Sequence, residues 1–349
     1  MTDGSRSRSR KRTATSRVTI GDVAARVGVS TASVSYALTG SAEVSAALRE
    51  RVLQAARELG YRPNKVAQQL RRGKTDAIGL LLADIADPFY ADLASGVIAA
   101  ASHEDFEVFV SHVGVDGERQ TDAASAQLDR NSAGLLFTSV AARDRELLER
   151  LLSGGVPFVQ LHRFLEGVPA DSVVVDNLGA ARELGEYVSR SGDGRIAVLG
   201  GPEVSSVSRD RVKGFREGAV SAGAQVVNSG AVWGALTRES GALRATKLFK
   251  AHPNVAGILC GNDLIALGVL DVCQKLGKRV PDEVSVAGFD DLSFSSAGLL
   301  QLTSVEVPRA LMGRRGFELL HQRISGWNAP PVQEVLPHTV KIRATTRSR

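Results

Sequence analysis

The chain has 349 residues, of which 43% are apolar and 23% charged, a composition typical of a globular protein with two or three domains. The two cysteines, Cys260 and Cys273, exclude a disulfide framework, and they form no CxxC metal or redox motif. No apolar run approaches the ~20 residues of a membrane span, and the N-terminus lacks the apolar stretch of a secretory signal. We therefore expect a cytoplasmic protein with no membrane partner.

Charge is distributed unevenly along the chain. The net charge is +5, yet residues 1–72 contain 14 Lys and Arg against 5 Asp and Glu, while residues 73–349 contain 29 against 33. This asymmetry indicates nucleic acid, or another anionic surface, as a partner of the N-terminal end. Residues 1–17 hold six basic residues and too little apolar surface to fold, which predicts a disordered basic arm. The arm either lies along phosphates or is a solvated tail.

Three short helices are predicted after this arm. Thr19 is the N-cap candidate of the first helix, which ends at Gly28, and Ser30 caps the second. The third begins at Ser45 and ends at Gly60. Two short helices joined by a Gly-containing turn and closed by a third indicate a helix-turn-helix domain. The apolar residues at core-facing spacing are Ile20, Val23, Ala24, Val27, Val34, Ala37, Leu38, Leu48, Val52, Ala55 and Leu59.

The second of these helices would enter the major groove of DNA. The alternative is a small three-helix bundle that binds protein, and the positive charge of this end favours DNA. The side chains predicted to face outward, toward the bases, are Thr31, Ala32, Ser35 and Tyr36.

A short segment after Pro63 is predicted to form a hinge helix between Asn64 and Gly73. A helix of about two turns is marginal alone in water, so it should fold only when it docks on a partner. Lys65, Arg71 and Arg72 suit a phosphate surface. Leu70 would be an exposed apolar tip, which fits either a wedge in the minor groove or packing against the next domain.

The sequence from Asp76 onward alternates apolar strands with helices of 10–18 residues. This alternation predicts an α/β fold with two doubly wound parallel-sheet subdomains. We place the first crossover between them near residues 160–165 and expect the last strands to return. The predicted divisions are a basic arm (1–17), an all-α helix-turn-helix headpiece (18–62), a hinge helix and linker (63–75) and an effector-binding and dimerisation core (76–349).

Polar residues follow several of the predicted strands, where ligands bind in such sheets. Carboxylates and amides hydrogen-bond hydroxyl groups, and an aromatic face covers a sugar ring, so this set predicts a cleft for a small polar ligand such as a sugar. The alternative for Asp176, Asn177 and Asn262 is that each only caps the following helix. The candidate effector-binding residues are Asp84, Tyr90, His162, Arg209, Asn262 and Asp290.

Enzyme signatures are missing from the sequence. There is no GxGxxG, GxSxG or HExxH motif, and the Gly73-Lys74-Thr75 triplet lacks the earlier glycine of a P-loop. We expect no enzymatic activity, no cofactor and no metal. Two classes remain: a ligand-responsive DNA-binding regulator, and a transport-type sugar-binding protein with an unrelated basic extension. The second class would require export.

The stretch VTIGDVAARVGVSTASVSYALTG, followed by LGYRPNKVAQQLRRGKTDAIGLLL, resembles the lac-repressor/galactose-repressor (LacI/GalR-type) family of bacterial transcription regulators. The segments DIADPFY, SVVVDN, SRDRVKGFREGA, GILCGNDLIALGVL and VSVAGFDD resemble that family's periplasmic-binding-protein-like core. The LLQLTSVEV strand departs from the family pattern. The resemblance implies a nucleoid-associated repressor that binds a palindromic operator as a homodimer and responds to a small effector.

The resemblance also assigns roles to residues of this chain. The hinge helix would lie in the minor groove with Leu70 intercalated, and Tyr36 replaces an arginine that is frequent in the family. A tyrosine cannot make the bidentate guanine contact of arginine, so the operator sequence should differ. His162 occupies a position often held by Asp. The implied phosphate contacts are Thr19, Ser30, Arg49, Asn64 and Lys65; the implied minor-groove contacts are Val66, Ala67, Gln69, Leu70 and Arg71.

Overall fold

The computed structural model describes residues 18–39, 43–61, 75–190, 194–227 and 232–347. The chain divides into two compact units, Met1–Lys74 and Thr75–Arg349. The predicted basic arm and the predicted hinge helix, with the minor-groove residues and the phosphate-contact candidates Asn64 and Lys65, lie outside the described residues.

The first unit contains three helices: α1 (Ile20–Val27), α2 (Thr31–Thr39) and α3 (Ala46–Leu59). Thr19 caps α1 in a capping box with Asp22, and Gly28 ends that helix at a φ of +75°. Ser45 caps α3, and Gly60 ends it. Val23, Ala24, Val27, Val34, Ala37, Val52 and Ala55 form the buried core, against which Ile20, Leu38, Leu48 and Leu59 pack half-buried.

The second unit begins with a six-stranded, fully parallel sheet in the order β11-β5-β4-β3-β1-β2. Strand β1 (Ala77–Leu82) is buried along its whole length and pairs with the edge strand β2 (Glu107–His112). The other elements of the subdomain that contains this sheet are α4 (Pro88–His103), α5 (Gln120–Asp129), β3 (Leu135–Phe137), α6 (Arg145–Ser153), β4 (Phe158–Leu161), β5 (Asp171–Val175), α11 (Arg309–Ile324) and β11 (Gln333–Leu336).

The second sheet has the order β12-β10-β9-β8-β6-β7, and all of its pairings are parallel except that of β12 with β10. The described part of the chain therefore contains the two predicted parallel-sheet subdomains. Their remaining elements are α7 (Asn177–Arg190), β6 (Arg195–Leu199), α8 (Ser206–Ser221), β7 (Gln225–Val227), α9 (Arg238–Ala251), β8 (Gly257–Cys260), α10 (Asp263–Lys275), β9 (Ser285–Asp290), β10 (Thr303–Glu306) and β12 (Thr339–Lys341).

The chain crosses between the sheets after β5, after β10 and after β11. The prediction of a first crossover near residues 160–165 is wrong, because β5 still pairs with β4 in the first sheet. The buried residues of β5 fill the gap between β4 and β11, and the Asp171 carboxylate at its start binds Arg323 of α11 at 2.7 and 2.8 Å. The local sequence predicts a strand, but it does not indicate which sheet that strand joins.

Helices α4 and α11 cross at close range through two glycines. A Cβ atom at Gly96 would overlap the Ala310 carbonyl oxygen, and one at Gly313 would overlap the Leu93 carbonyl oxygen. These contacts are with backbone, which cannot rotate away as a side chain can.

We expect Gly96→Ala to lower the free energy of unfolding by about 1–3 kcal/mol or more, since the methyl group forces the two helices apart. Thermal denaturation of the full chain measures the effect. Gly298→Ala is the control, because its Cβ atom would meet no atom within 4 Å. Equal stability of the two variants would contradict the close packing of α4 on α11.

Candidate functional site

The outward face of α2 carries the residues predicted to read DNA bases. Val34 and Ala37 are buried, at 0% and 2% exposure, and turn the opposite face to solvent. Thr31, Ala32 and Tyr36 are exposed, and Ser35 is half-buried. The hydroxyl of Ser30 accepts a hydrogen bond from the Ser33 backbone at 3.1 Å, so Ser30 is the helix cap that the sequence predicts. Short side chains and one tyrosine leave this face open to a groove.

Two other candidate DNA contacts lie in the described part of the headpiece. The Thr19 side chain is engaged in its capping box, donating to the Asp22 carboxylate at 2.8 Å. Arg49 of α3 is half-buried. Thr19 therefore stabilises the start of α1, whether or not its backbone also meets a phosphate.

The loops that follow the strands of the two sheets enclose a cleft with two cavities. The larger has a volume of about 590 Å³ and the smaller about 400 Å³. Asp84 and Tyr90, from the first subdomain, line the larger cavity opposite Trp233 of the second. His162 and Arg209 line the smaller one. The cleft lies beyond the carboxyl ends of parallel strands, which is where such sheets bind ligands.

A buried ion pair joins α8 to the end of β9. The Arg211 guanidinium lies 2.8 Å from the Asp290 carboxylate, and both side chains are almost fully buried. Arg211 also donates to the Asn177 side chain at 2.9 Å and to the Gly261 carbonyl at 2.7 Å, and it stacks on the Phe289 ring at 3.8 Å.

Arg209, the arginine that the sequence indicates, lines the smaller cavity but does not join this ion pair. Its side chain is exposed and donates to the backbone carbonyls of Glu203 and Val204 at 2.8 and 3.0 Å. Sequence reasoning missed Arg211, although a signal was present: Val207, Arg211 and Phe215 recur at a spacing of four residues on the buried face of α8. An arginine on the apolar face of a helix requires a buried anionic or carbonyl partner.

The backbone around Asp290 is held in an unusual conformation. Asp290 and Asp291 have φ values of +99° and +49°, in the region that favours glycine. Arg309 donates to both of their carbonyl oxygens and lies 3.0 Å from the Asp92 carboxylate of α4. Arg343 forms an ion pair with Asp291 at 2.7 Å. Three arginines thus stabilise this turn where the second sheet borders the cleft.

Two of the polar residues predicted for the cleft act as helix caps, as the alternative interpretation proposed. The Asn262 side chain accepts from the Ile265 backbone at 2.9 Å and donates to the Leu236 carbonyl at 3.2 Å. Asp176 accepts from the Gly179 backbone at 2.8 Å. Asn177 is different, because its side-chain oxygen accepts from Arg211 and so orients that guanidinium.

His162 belongs to an aromatic cluster between the two cavities. Its ring lies 4.4 Å from that of Phe89 and 6.1 Å from that of Tyr90, and its φ is +65°. Burial, together with the charges of Arg211 and Arg163, holds the pKa of His162 well below its usual value. The imidazole is therefore neutral and able both to donate and to accept a hydrogen bond.

Asp263, the polar residue next to Asn262 after β8, is fully buried. Its carboxylate accepts hydrogen bonds from the Leu292 backbone and from the hydroxyls of Ser295 and Ser304, at 2.6–2.7 Å. Burial and the nearby Asp290 raise its pKa to about 7. Asp263 ties the start of α10 to the loop after β9 and so helps to position Asp290.

Metal binding and membrane insertion find no support in the described ranges. These residues contain no group of three His, Cys, Asp or Glu side chains that could hold a metal ion. No helix among them is long and apolar enough to cross a bilayer.

A helix-turn-helix unit in one chain with a two-sheet, cleft-bearing unit defines a ligand-responsive DNA-binding regulator. Residues 19–64 match the model for "bacterial regulatory proteins, lacI family", and residues 75–347 match that for "periplasmic binding proteins and sugar binding domain of LacI family". The chain belongs to the LacI family of bacterial transcription regulators and is not an enzyme.

Named relatives and solved structures agree with this assignment. The transcriptional regulator CelR of Thermobifida fusca is 34% identical over 94% of this chain and 98% of its own. Catabolite control protein A of Priestia megaterium is 30% identical over 95% and 99%. A CelR–cellobiose complex matches with a TM-score of 0.69 at 33% identity, covering 94% of this chain and all of that one. The lac repressor dimer bound to operator and an anti-inducer matches at 0.85 and 27%, covering 95% and 100%.

Proposed function

We propose that this protein is a transcriptional repressor that binds a palindromic operator as a homodimer and is controlled by a small polar effector such as a sugar. The observation that carries the proposal is the pairing, in one chain, of an open DNA-reading helix face with a polar, aromatic-walled cleft. The same pairing disfavours a transport protein, which needs no DNA-reading helix.

In this proposal α2 of each protomer enters the major groove, with Thr31, Ala32, Ser35 and Tyr36 toward the bases. Tyr36 contacts a phosphate or a thymine methyl group. Phosphates are contacted by Thr19, Ser30, Arg49, Asn64 and Lys65, and the minor groove by Val66, Ala67, Gln69, Leu70 and Arg71.

A dimer is supported by the edge of the first sheet. No strand of the described ranges pairs with the outer edge of β2, and Phe109 and Val110 on its two faces are 41% and 40% exposed. Ile98 of the neighbouring α4 is 44% exposed. Exposed apolar residues on an edge strand are a surface that monomers usually avoid and that association with a second copy buries.

The effector in this proposal lies in the cleft and meets Asp84, Tyr90, His162 and the Asp290 carboxylate. Arg211 joins Arg209 as an anchoring candidate, because its guanidinium pairs with the Asp290 carboxylate while Arg209 lines the smaller cavity. A ligand that contacts both subdomains changes how far they close on each other. A coupling of ~1–3 kcal/mol between ligand and DNA is typical of such regulators.

The proposal is tested by a band-shift assay with the full chain on palindromic duplexes selected from random DNA, with and without sugars. We expect a dimer on each duplex and a change of affinity with one class of sugar. Failure to retain any palindrome would contradict the operator proposal.

The Leu70→Ala substitution tests whether Leu70 is a wedge in the minor groove or packs against the next domain. We expect it to weaken operator binding and to reduce DNA bending, because an apolar wedge between base steps bends the duplex. Circular-permutation assays measure the bend, and Gln68→Ala in the same segment is the control. An unchanged bend with Leu70→Ala would contradict the wedge.

A further inference from the structure

The larger cavity of the cleft is strongly acidic. Asp84, Asp87, Asp116 and Glu203 line it, and no lysine or arginine does so among the residues that the structure describes. Ionised carboxylates only accept hydrogen bonds, and they repel anions. A ligand here therefore gains most if it donates hydrogen bonds and carries positive charge.

Asp87 is the most informative of these carboxylates because it is half-buried at the base of α4. One of its oxygens accepts from the Phe89 backbone at 2.9 Å. Burial and, to a lesser extent, the charges of Asp290 and Asp84 raise the pKa of Asp87 to about 6, against the opposing effects of the Phe89 hydrogen bond and the Arg211 charge. Among the described residues, the contact of the His112 ring with Asp84, at 4.0 Å, is the only ion pair that any of these four carboxylates makes.

Tyr90 independently indicates a ligand in the same cavity. Its side chain is only 4% exposed and lines the cavity, yet its hydroxyl has no hydrogen-bond partner in the described part of the chain. Burial raises its pKa, so the hydroxyl keeps its proton and remains a donor. This donor belongs to a side chain that lines the cavity, where a bound polar group would satisfy it.

Aromatic and apolar side chains complete the opposite wall. Trp233, Leu236 and Leu264 come from the second subdomain and face the acidic loops of the first. An indole face covers the apolar side of a sugar ring and attracts a cation that lies over it. The cavity combines this wall with acids on the other side.

We propose that the effector is an amino sugar, whose protonated amine lies among Asp84, Asp87 and Asp116 while its ring packs on Trp233. An ammonium group supplies three hydrogen-bond donors and a positive charge to these acceptors. A hydroxyl at the same position supplies one donor and no charge, and a phosphate or carboxylate is repelled. This inference rests on the proposed function and specifies its ligand class.

Calorimetric titration of the full chain tests it, with glucose, galactose and mannose skeletons each offered as the neutral sugar, the 2-amino sugar and the 6-phosphate. We expect the best amino sugar to bind at least about tenfold tighter than its neutral parent, as close charge pairs provide, and the phosphates not to bind. Neutral sugars that bind as tightly, or any phosphate that binds, would overturn the inference and leave a sugar effector standing. Absence of binding by the whole panel would overturn both.

Two substitutions that each remove one carboxylate test which of the two cavities binds the amine. Asp87→Asn preserves the helix cap, because asparagine caps as well as aspartate, and it should reduce the preference for the amine by about tenfold. Asp210→Asn removes a carboxylate from the smaller cavity and is the matched control. An equal loss with Asp210→Asn would contradict the assignment to the larger cavity, since it would reflect the net charge of the cleft.

Discussion

Arg211→Ala is expected to lower the free energy of unfolding of the core by about 3–5 kcal/mol, because it leaves the Asp290 carboxylate buried without its counter-ion. Both partners of this pair are 4–6% exposed, so water cannot compensate. The same substitution removes the donors to Asn177 and Gly261. We also expect the ligand-induced rise in melting temperature to disappear, because Asp290 loses its position at the cleft.

Arg209→Ala is the matched control for this prediction. It removes the same side chain half a turn away on α8, but that side chain is exposed and binds only backbone carbonyls. Surface substitutions of this kind change stability by less than about 0.5 kcal/mol. Thermal and chemical denaturation measure both variants. An equal loss for the two would contradict the role of Arg211, and Arg211→Ala combined with Asp290→Ala should cost less than the sum of the single changes.

Operator affinity is expected to fall steeply with salt, by roughly 10³-fold or more between about 50 and 200 mM, as for proteins that make six or more phosphate contacts. The cause is the release of counterions from DNA when basic side chains neutralise its phosphates. Residues 1–72 hold the 14 basic residues that would do so in each protomer. Fluorescence anisotropy on the selected operator at several salt concentrations measures the slope.

A chain that lacks residues 2–17 extends this measurement to the basic arm. If the arm lies along phosphates, its six basic residues contribute to the slope and the truncated chain has a shallower one. If the arm is a solvated tail, the slopes agree. A flat salt dependence of the full chain would contradict phosphate-dominated binding by the headpiece.

Local patterns along the chain were sufficient to predict the headpiece and most elements of the core. Thr19, Gly28, Ser45 and Gly60 begin and end their helices where the sequence indicates. Caps, turns and helix faces depend on residues no more than four positions apart, so they can be read from sequence alone. The motifs at both ends of the hinge then identified the family.

The functional site could not be predicted from local sequence, because it depends on contacts between distant parts of the chain. Arg211 and Arg209 are two residues apart on one helix, and both are arginines in a polar segment. The four-residue spacing places Arg211 on the apolar face of α8, but only the fold supplies its partners, such as the Gly261 carbonyl, 50 residues away along the chain. The assignment of β5 to the first sheet likewise depends on its pairing with β4 and on the Asp171 contact with Arg323, 152 residues away.

The uneven charge of the sequence thus predicted which end of the protein meets DNA, because net charge is a sum over residues and needs no coordinates. The acidity of the cavity could not be obtained in this way. Asp84, Asp87, Asp116 and Glu203 come from three separate loops, and Arg209, a basic residue close to Glu203 in sequence, does not line the same cavity. The fold decides which charged side chains line one cavity. At the short distances within a cavity, their Coulomb interactions with a ligand determine what the cleft binds.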